Sequence, residues 1–143
     1  MTRMTKKFKI LAQFIKDISS ETPNIQSYIY VKENISKYHL SIDISSEPLK
    51  NKMIEVSTTL KFEDKEPNDK KSYFEIIYVS IVKIDEDIKD KKDLEKIILS
   101  DVQNDIYPNL EKAFLDLLHN SGFPEVKLEK KVDFNKLFNE RSN

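Results

Sequence analysis

The chain contains no cysteine and no tryptophan, and only one glycine, Gly122, and two histidines, His39 and His119. The missing cysteines exclude disulfides, thiolate metal sites and cysteine nucleophiles together. With Gly122 standing alone, no glycine-rich loop can bring the backbone close to a phosphate, which removes both the P-loop and the dinucleotide fingerprint. Arginine is scarce too: the 24 basic residues include only Arg3 and Arg141, and they face 25 acidic residues for a formal charge of −1. Lysine is a point charge without the bidentate fork that reads phosphate and base edges, so the chain is not expected to bind nucleic acid. No apolar run approaches the roughly 20 residues of a membrane helix, so no segment is expected to span a bilayer. The basic start, Met1 to Lys7, leads into Phe8–Phe14, which Lys9 and Gln13 interrupt. That is not the apolar stretch of a signal peptide, and the expected location is the cytoplasm.

What is present is a polar chain of 143 residues, 38% hydrophobic and 34% charged, of a size for one domain over residues 1–143. Residues 1–6 and 139–143 are expected to be flexible. Lys7–Ser19 reads as a strand, with Phe8, Ile10, Ala12 and Phe14 alternating against Lys9, Leu11, Gln13 and Ile15. Thr22-Pro23-Asn24 ends it. Ile25 to Ile35 shows no clean period and reads as a long surface loop, with Tyr28 and Tyr30 packing on the body. A second strand places Tyr38, Leu40, Ile42 and Ile44 on one face and His39, Ser41 and Asp43 on the other. After a turn at Glu47–Asn51, Ile54, Val56, Thr58, Leu60 and Phe62 repeat the alternation in a third strand. A charged turn containing Pro67-Asn68-Asp69 leads to a fourth, Ser72–Lys83, apolar on both faces. Four strands joined in this way predict an antiparallel meander.

Helix follows. Leu94, Ile97, Ile98 and Val102 recur at helical spacing, as do Leu110, Phe114, Leu117 and Leu118, with Pro108 capping or kinking between the two sets. Gly122 and Pro124 end this long broken helix. Asp133 caps a short C-terminal helix carrying Phe134, Leu137 and Phe138. Strands first and helices afterwards predict the α+β class.

The reactive inventory is thin. Asp85–Asp90 lacks the glycine at the sixth position of a calcium loop and carries lysine at the fifth, so it reads as a solvated charge run. Asp17 and Glu21 have no defined cleft in which to separate their pKa values. His39 falls on a polar strand face and His119 near a helix end, without metal-ligand spacing. The sequence predicts no catalytic residue, no metal and no cofactor, hence no enzyme. It does hold eight phenylalanines and six tyrosines. Core packing accounts for Phe62, Phe74 and Phe114. The doubly apolar fourth strand and the two-part apolar helix exceed what one sheet buries, which predicts an oligomeric binding module.

Several segments carry a family likeness. They are Ile15-Lys16-Asp17-Ile18-Ser19 with Glu21, Pro23 and Asn24; Tyr107-Pro108; Ser121-Gly122-Phe123-Pro124; and Val132-Asp133-Phe134 with Leu137-Phe138. In this order, over residues 8 to 138, the chain resembles the bacterial protein-export chaperone family SecB. Ser20 stands where the family signature has phenylalanine, and Val79-Ser80 where it usually has paired glycines. The resemblance implies a homotetramer, a dimer of dimers, that holds unfolded preproteins without ATP and delivers them to the export motor SecA. It implies that Asp17, Glu21 and Glu75 form the SecA contact, and that apolar residues such as Tyr78, Tyr107, Phe123 and Phe134 meet clients. The alternative it leaves open is a SecB-like paralogue dedicated to one client, such as an antitoxin, without SecA coupling.

Overall fold

The computed structural model describes residues 7–64, 72–128 and 132–142. The turn at Pro67-Asn68-Asp69 and the segment 1–6 lie outside the described residues. Strands β1 (Phe8–Ser20), β2 (Tyr38–Pro48), β3 (Met53–Asp64) and β4 (Tyr73–Ile84) form one antiparallel sheet in the order β1-β4-β3-β2. The fold is α+β, as expected, with β2, β3 and β4 forming the meander. β1 joins the far side of β4 instead of neighbouring β2, so the segment after β1 must cross the sheet.

That crossing segment is helical and not the loop expected for Ile25 to Ile35. Helix α1 (Ile25–Glu33) starts where the Asn24 side chain accepts the Ser27 amide at 2.9 Å, and a 3-10 turn, Ile35–Lys37, follows. The Asn24 cap satisfies an amide that the first turn leaves without a partner. The helical period is hidden because Ile25 and Ile29 face solvent while Ser27 and Val31 are buried.

One face of the sheet packs on the helices, and the register decides which residues lie there. Phe74, Ile76, Tyr78, Ser80 and Val82 of β4 are all buried, beside Val56, Thr58, Leu60 and Phe62 of β3. β1 does not keep its simple alternation, because irregularities interrupt the register between Ile10 and Ala12 and between Ile15 and Asp17. Such bulges place two residues opposite one and swap the faces. Phe8 and Ile10 therefore pair with Ile84 and Val82 on the covered side, whereas Ala12 and Phe14 pair with Ile81 and Val79 on the open side.

Helix α2 (Lys91–Lys96) runs through a π turn at Ile97–Asp101 into α3 (Val102–Asn120). The break in the long helix is that π turn, and Pro108 sits inside α3 on its exposed side. There a carbonyl that loses its proline partner can be hydrated. Gln103, fully buried, anchors the turn: its Nε2 donates to the Ile98 carbonyl at 3.2 Å, and its Oε1 accepts from Thr58 Oγ1 of β3 at 3.0 Å. Helix α4 (Phe134–Ser142) starts with the Lys136 amide bonded to Asp133, as expected of the cap, and runs past Phe138. Ser100 bonds Asn135, and Tyr107 meets Phe134 edge to face at 5.3 Å, so α4 is fastened to the π turn and to α3. Phe62, Phe74 and Phe114 are buried in the core as expected.

Candidate functional site

The C-terminus of α3 builds one wall of a cleft. Gly122 has φ +104°, and the Phe123 amide bonds back to the Leu118 carbonyl while the Gly122 amide reaches that of His119. This is a Schellman ending, which favours glycine because the left-handed conformation crowds any Cβ. Here the neighbourhood adds a second reason, since a Cβ at Gly122 would lie 2.6 Å from Tyr28 Cε1. The Tyr28 hydroxyl donates to the Gly122 carbonyl at 2.9 Å, and its ring stacks on Phe123 at 5.2 Å. Tyr28 thus latches the crossing helix α1 to the end of α3.

Beside this latch lies an open cleft of about 350 Å³, bordered by α1 and the 3-10 turn on one side and by Phe123–Lys127 on the other. Tyr38, Phe62 and Phe123 form its floor. Their rings are mutually packed through Phe74: Tyr38 and Phe62 are 5.3 Å apart, Phe62 and Phe74 6.4 Å, and Phe74 and Phe123 5.7 Å. The Tyr38 hydroxyl is fully engaged, donating to the Ser72 carbonyl at 2.7 Å and accepting the Ser72 amide at 3.2 Å. Burial, only partly offset by that bond to Ser72, pushes its pKa up to about 12. The floor therefore offers ring surface with no free polar atom and no charge near neutral pH. Lys32, Glu125 and Lys127 stand at the rim.

Of the four apolar residues considered for client contact, only Phe123 lines this cleft. Tyr78 lies under β1, where its hydroxyl donates to Gln13 at 2.9 Å. Tyr107 and Phe134 pack against each other between α3 and α4. Burial, with a smaller contribution from Glu111, pushes Tyr107 up to about 12, and its buried hydroxyl has no hydrogen-bond partner. Tyr38, Phe62 and Lys32 were missed in the sequence. The two aromatics were legible as inward residues of β2 and β3, but their meeting with Phe123 depends on a helix read as a loop.

The acidic residues occupy another surface. Asp17 pairs with Ile77 and Ser19 with Glu75, so Asp17 and Glu75 share the open face of the sheet. Asp17 accepts from Ser19 Oγ at 2.7 Å. Glu75 also lies opposite Lys61, whose Nζ is 3.4 Å from Glu63. Glu21 is exposed just beyond the end of β1. Along β1, Leu11, Phe14, Ile15 and Ile18 are each 42–49% exposed on a strand paired on one side only. Among the described residues no group of histidines and carboxylates could hold a metal ion, and no helix is long and apolar enough to cross a membrane.

The comparisons agree with this architecture. The family model for SecB, preprotein translocase subunit SecB, matches residues 2–143. A putative protein-export protein SecB from Pelagibacter ubique is 56% identical over 140 residues, which are 98% of this chain and 100% of that protein. A protein-export protein SecB from Bartonella bacilliformis is 24% identical over 94% of this chain and 82% of its own length. Among solved structures, a SecB-like chaperone of Mycobacterium tuberculosis in complex with an antitoxin peptide matches with a TM-score of 0.63 at 12% identity. That match covers 87% of this chain and 91% of the chaperone, and it concerns the fold.

Proposed function

This chain belongs to the SecB family of protein-export chaperones, and on that premise we propose that it holds unfolded preproteins in the cytoplasm and passes them to SecA without ATP. The observation that carries the reading is the aromatic floor of the cleft, with its one phenolic hydroxyl already bonded. Such a surface accepts apolar side chains by burial and imposes no hydrogen-bond pattern, which suits many unrelated clients. Burying one large apolar side chain contributes about 1.5–3 kcal/mol, so a single cleft binds weakly. Several clefts in one assembly multiply that affinity for a long unfolded chain and leave a folded protein, whose apolar side chains are hidden, unbound. The exposed apolar edge of β1 supports the homotetramer that such avidity needs. Asp17 and Glu75 on the open sheet face, with Glu21 nearby, are proposed to steer SecA by charge. The chain acts as a binding protein and not as an enzyme.

A second reading, a paralogue serving one antitoxin, takes its cue from the M. tuberculosis chaperone that was solved with an antitoxin peptide. Titrating the protein with a secretory precursor, held unfolded and then folded, while light scattering records the mass of the complex, separates the two. A tetramer that binds only the unfolded form is expected. Equal affinity for both forms refutes the holding role, and no binding by a folded oligomer favours the dedicated paralogue.

A further inference from the structure

On the open face of the sheet, the register sets a lysine against a carboxylate. Lys61 of β3 lies directly opposite Glu75 of β4. Opposed side chains of an antiparallel pair have Cβ atoms about 4.5–5.5 Å apart, close enough for an ion pair. That pair does not form. Lys61 Nζ lies instead 3.4 Å from Glu63 Oε2, two residues along its own strand, and 5.4 Å from the centre of the Tyr73 ring, which faces Glu63 across the ladder. A carboxylate and an aromatic ring together hold the ammonium away from its cross-strand partner. Among the described residues Glu75 is left with no ion pair and no hydrogen bond, and its side chain is half-buried. The other charged or titratable groups nearby are Lys16 and Asp17 on β1 and His39 and Asp43 on β2. Of these, Asp17 already accepts from Ser19, and Lys16 stands in the second bulge without a partner in the register. Lys61 is the cation directly opposite Glu75, so the side chain it pairs with decides whether Glu75 stays free.

We propose that Lys61 tunes the SecA contact: held by Glu63 and Tyr73, it leaves the Glu75 carboxylate open to a basic side chain of the partner. Released from Glu63, the ammonium folds onto Glu75 and competes with that side chain. Removed altogether, it leaves the acidic end of the face more negative and the partner more strongly attracted. Lys61 and Glu63 are thus positioning residues that act through Glu75. Exposed ion pairs are individually weak and screened by salt, so the arrangement grades affinity and does not switch it. This inference rests on the reading that Glu75 meets SecA, and it adds to that reading the residues that set the strength of the contact.

The test titrates SecA against the full-length protein at low salt, with urea unfolding run alongside to show that each variant folds. Lys61→Gln is expected to bind SecA about two- to fivefold more tightly than wild type, and Glu63→Gln about two- to fivefold more weakly. In a Lys61→Gln background the loss caused by Glu63→Gln should shrink to less than about twofold, because no ammonium remains to be released. Lys61→Arg keeps the charge and should stay within about twofold of wild type. Raising the salt to about 0.3 M should compress all of these differences. An affinity that Lys61→Gln leaves unchanged or lowers, an equal loss from Glu63→Gln with and without Lys61, or a gain in Lys61→Arg as large as that in Lys61→Gln overturns the inference. Glu75→Lys separates it from the reading beneath it. If that substitution weakens SecA binding while the Lys61 series is flat, the contact stands and the inference alone fails. If Glu75→Lys changes nothing, or SecA does not bind the wild type, the contact itself is refuted and the inference falls with it.

Discussion

Gly122→Ala probes the latch that joins the crossing helix to the end of α3. At φ +104° an L side chain is strained by roughly 1–2 kcal/mol. The new Cβ would also lie 2.6 Å from Tyr28 Cε1, well inside the usual carbon–carbon separation of about 3.5–4.0 Å. The Tyr28 ring must therefore move. Moving it forfeits the hydrogen bond to the Gly122 carbonyl, about 0.5–1.5 kcal/mol, and the stack on Phe123, about as much again. Alanine's smaller freedom in the unfolded chain returns about 0.4–1 kcal/mol, leaving a net destabilisation of about 1–4.5 kcal/mol. Urea unfolding at one fixed protein concentration reads this as a lower midpoint with an unchanged slope. The reasoning is sharper in a Tyr28→Ala background, where the clash and both Tyr28 contacts are already gone. There Gly122→Ala should cost only the backbone strain, about 1–2 kcal/mol less whatever alanine returns through the unfolded chain. A single substitution within about 0.5 kcal/mol of wild type, or an equal cost in both backgrounds, would refute the account.

Tyr107→Phe removes a buried hydroxyl that has no hydrogen-bond partner, and it should leave stability unchanged or raise it by up to about 2 kcal/mol; a clear loss in urea unfolding would point to a bond that the structure does not contain. Tyr38 and Tyr107 are both pushed up to about 12, so between pH 10 and 12 the unfolded chain has released protons that the folded one keeps. Their contribution is complete below pH 10 and is lost as pH rises through 12; the midpoint of urea unfolding should fall across that window, and less steeply in Tyr107→Phe. Glu75→Lys reverses a charge on the open sheet face and should weaken binding of SecA by about tenfold while sparing the unfolded precursor; unchanged SecA affinity in a direct titration would remove Glu75 from the proposed contact.

Much of the sheet was legible because burial on one side writes a period of two into β2 and β3, and Tyr38, Leu40, Val56, Leu60 and Phe62 lie as that period requires. In β4 the same period holds although the opposite face is also apolar, and there Val79 is 1% exposed beneath its neighbours. β1 was harder to read. Its two bulges exchange faces at Ala12 and again at Asp17, and a bulge is a feature of pairing that no single strand announces. α1 was missed because a helix of nine residues that leaves Ile25 and Ile29 outside has no segregated apolar stripe. Its signal was the Asn24 cap, which the turn at Pro23 obscured. Pro108 drew attention as a breaker, whereas the actual irregularity is the π turn that Gln103 stabilises through Thr58, a partner 45 residues away.

The α+β class, the glycine that ends α3, the inward residues of three strands and the family likeness are all written locally, in propensity, period and motif. The order β1-β4-β3-β2, the cleft over Tyr38, Phe62 and Phe123, and the two lysines at its rim were decided by the tertiary structure. Each depends on segments brought together across the chain, and close packing selects such meetings by shape and partner satisfaction, which a linear pattern does not encode.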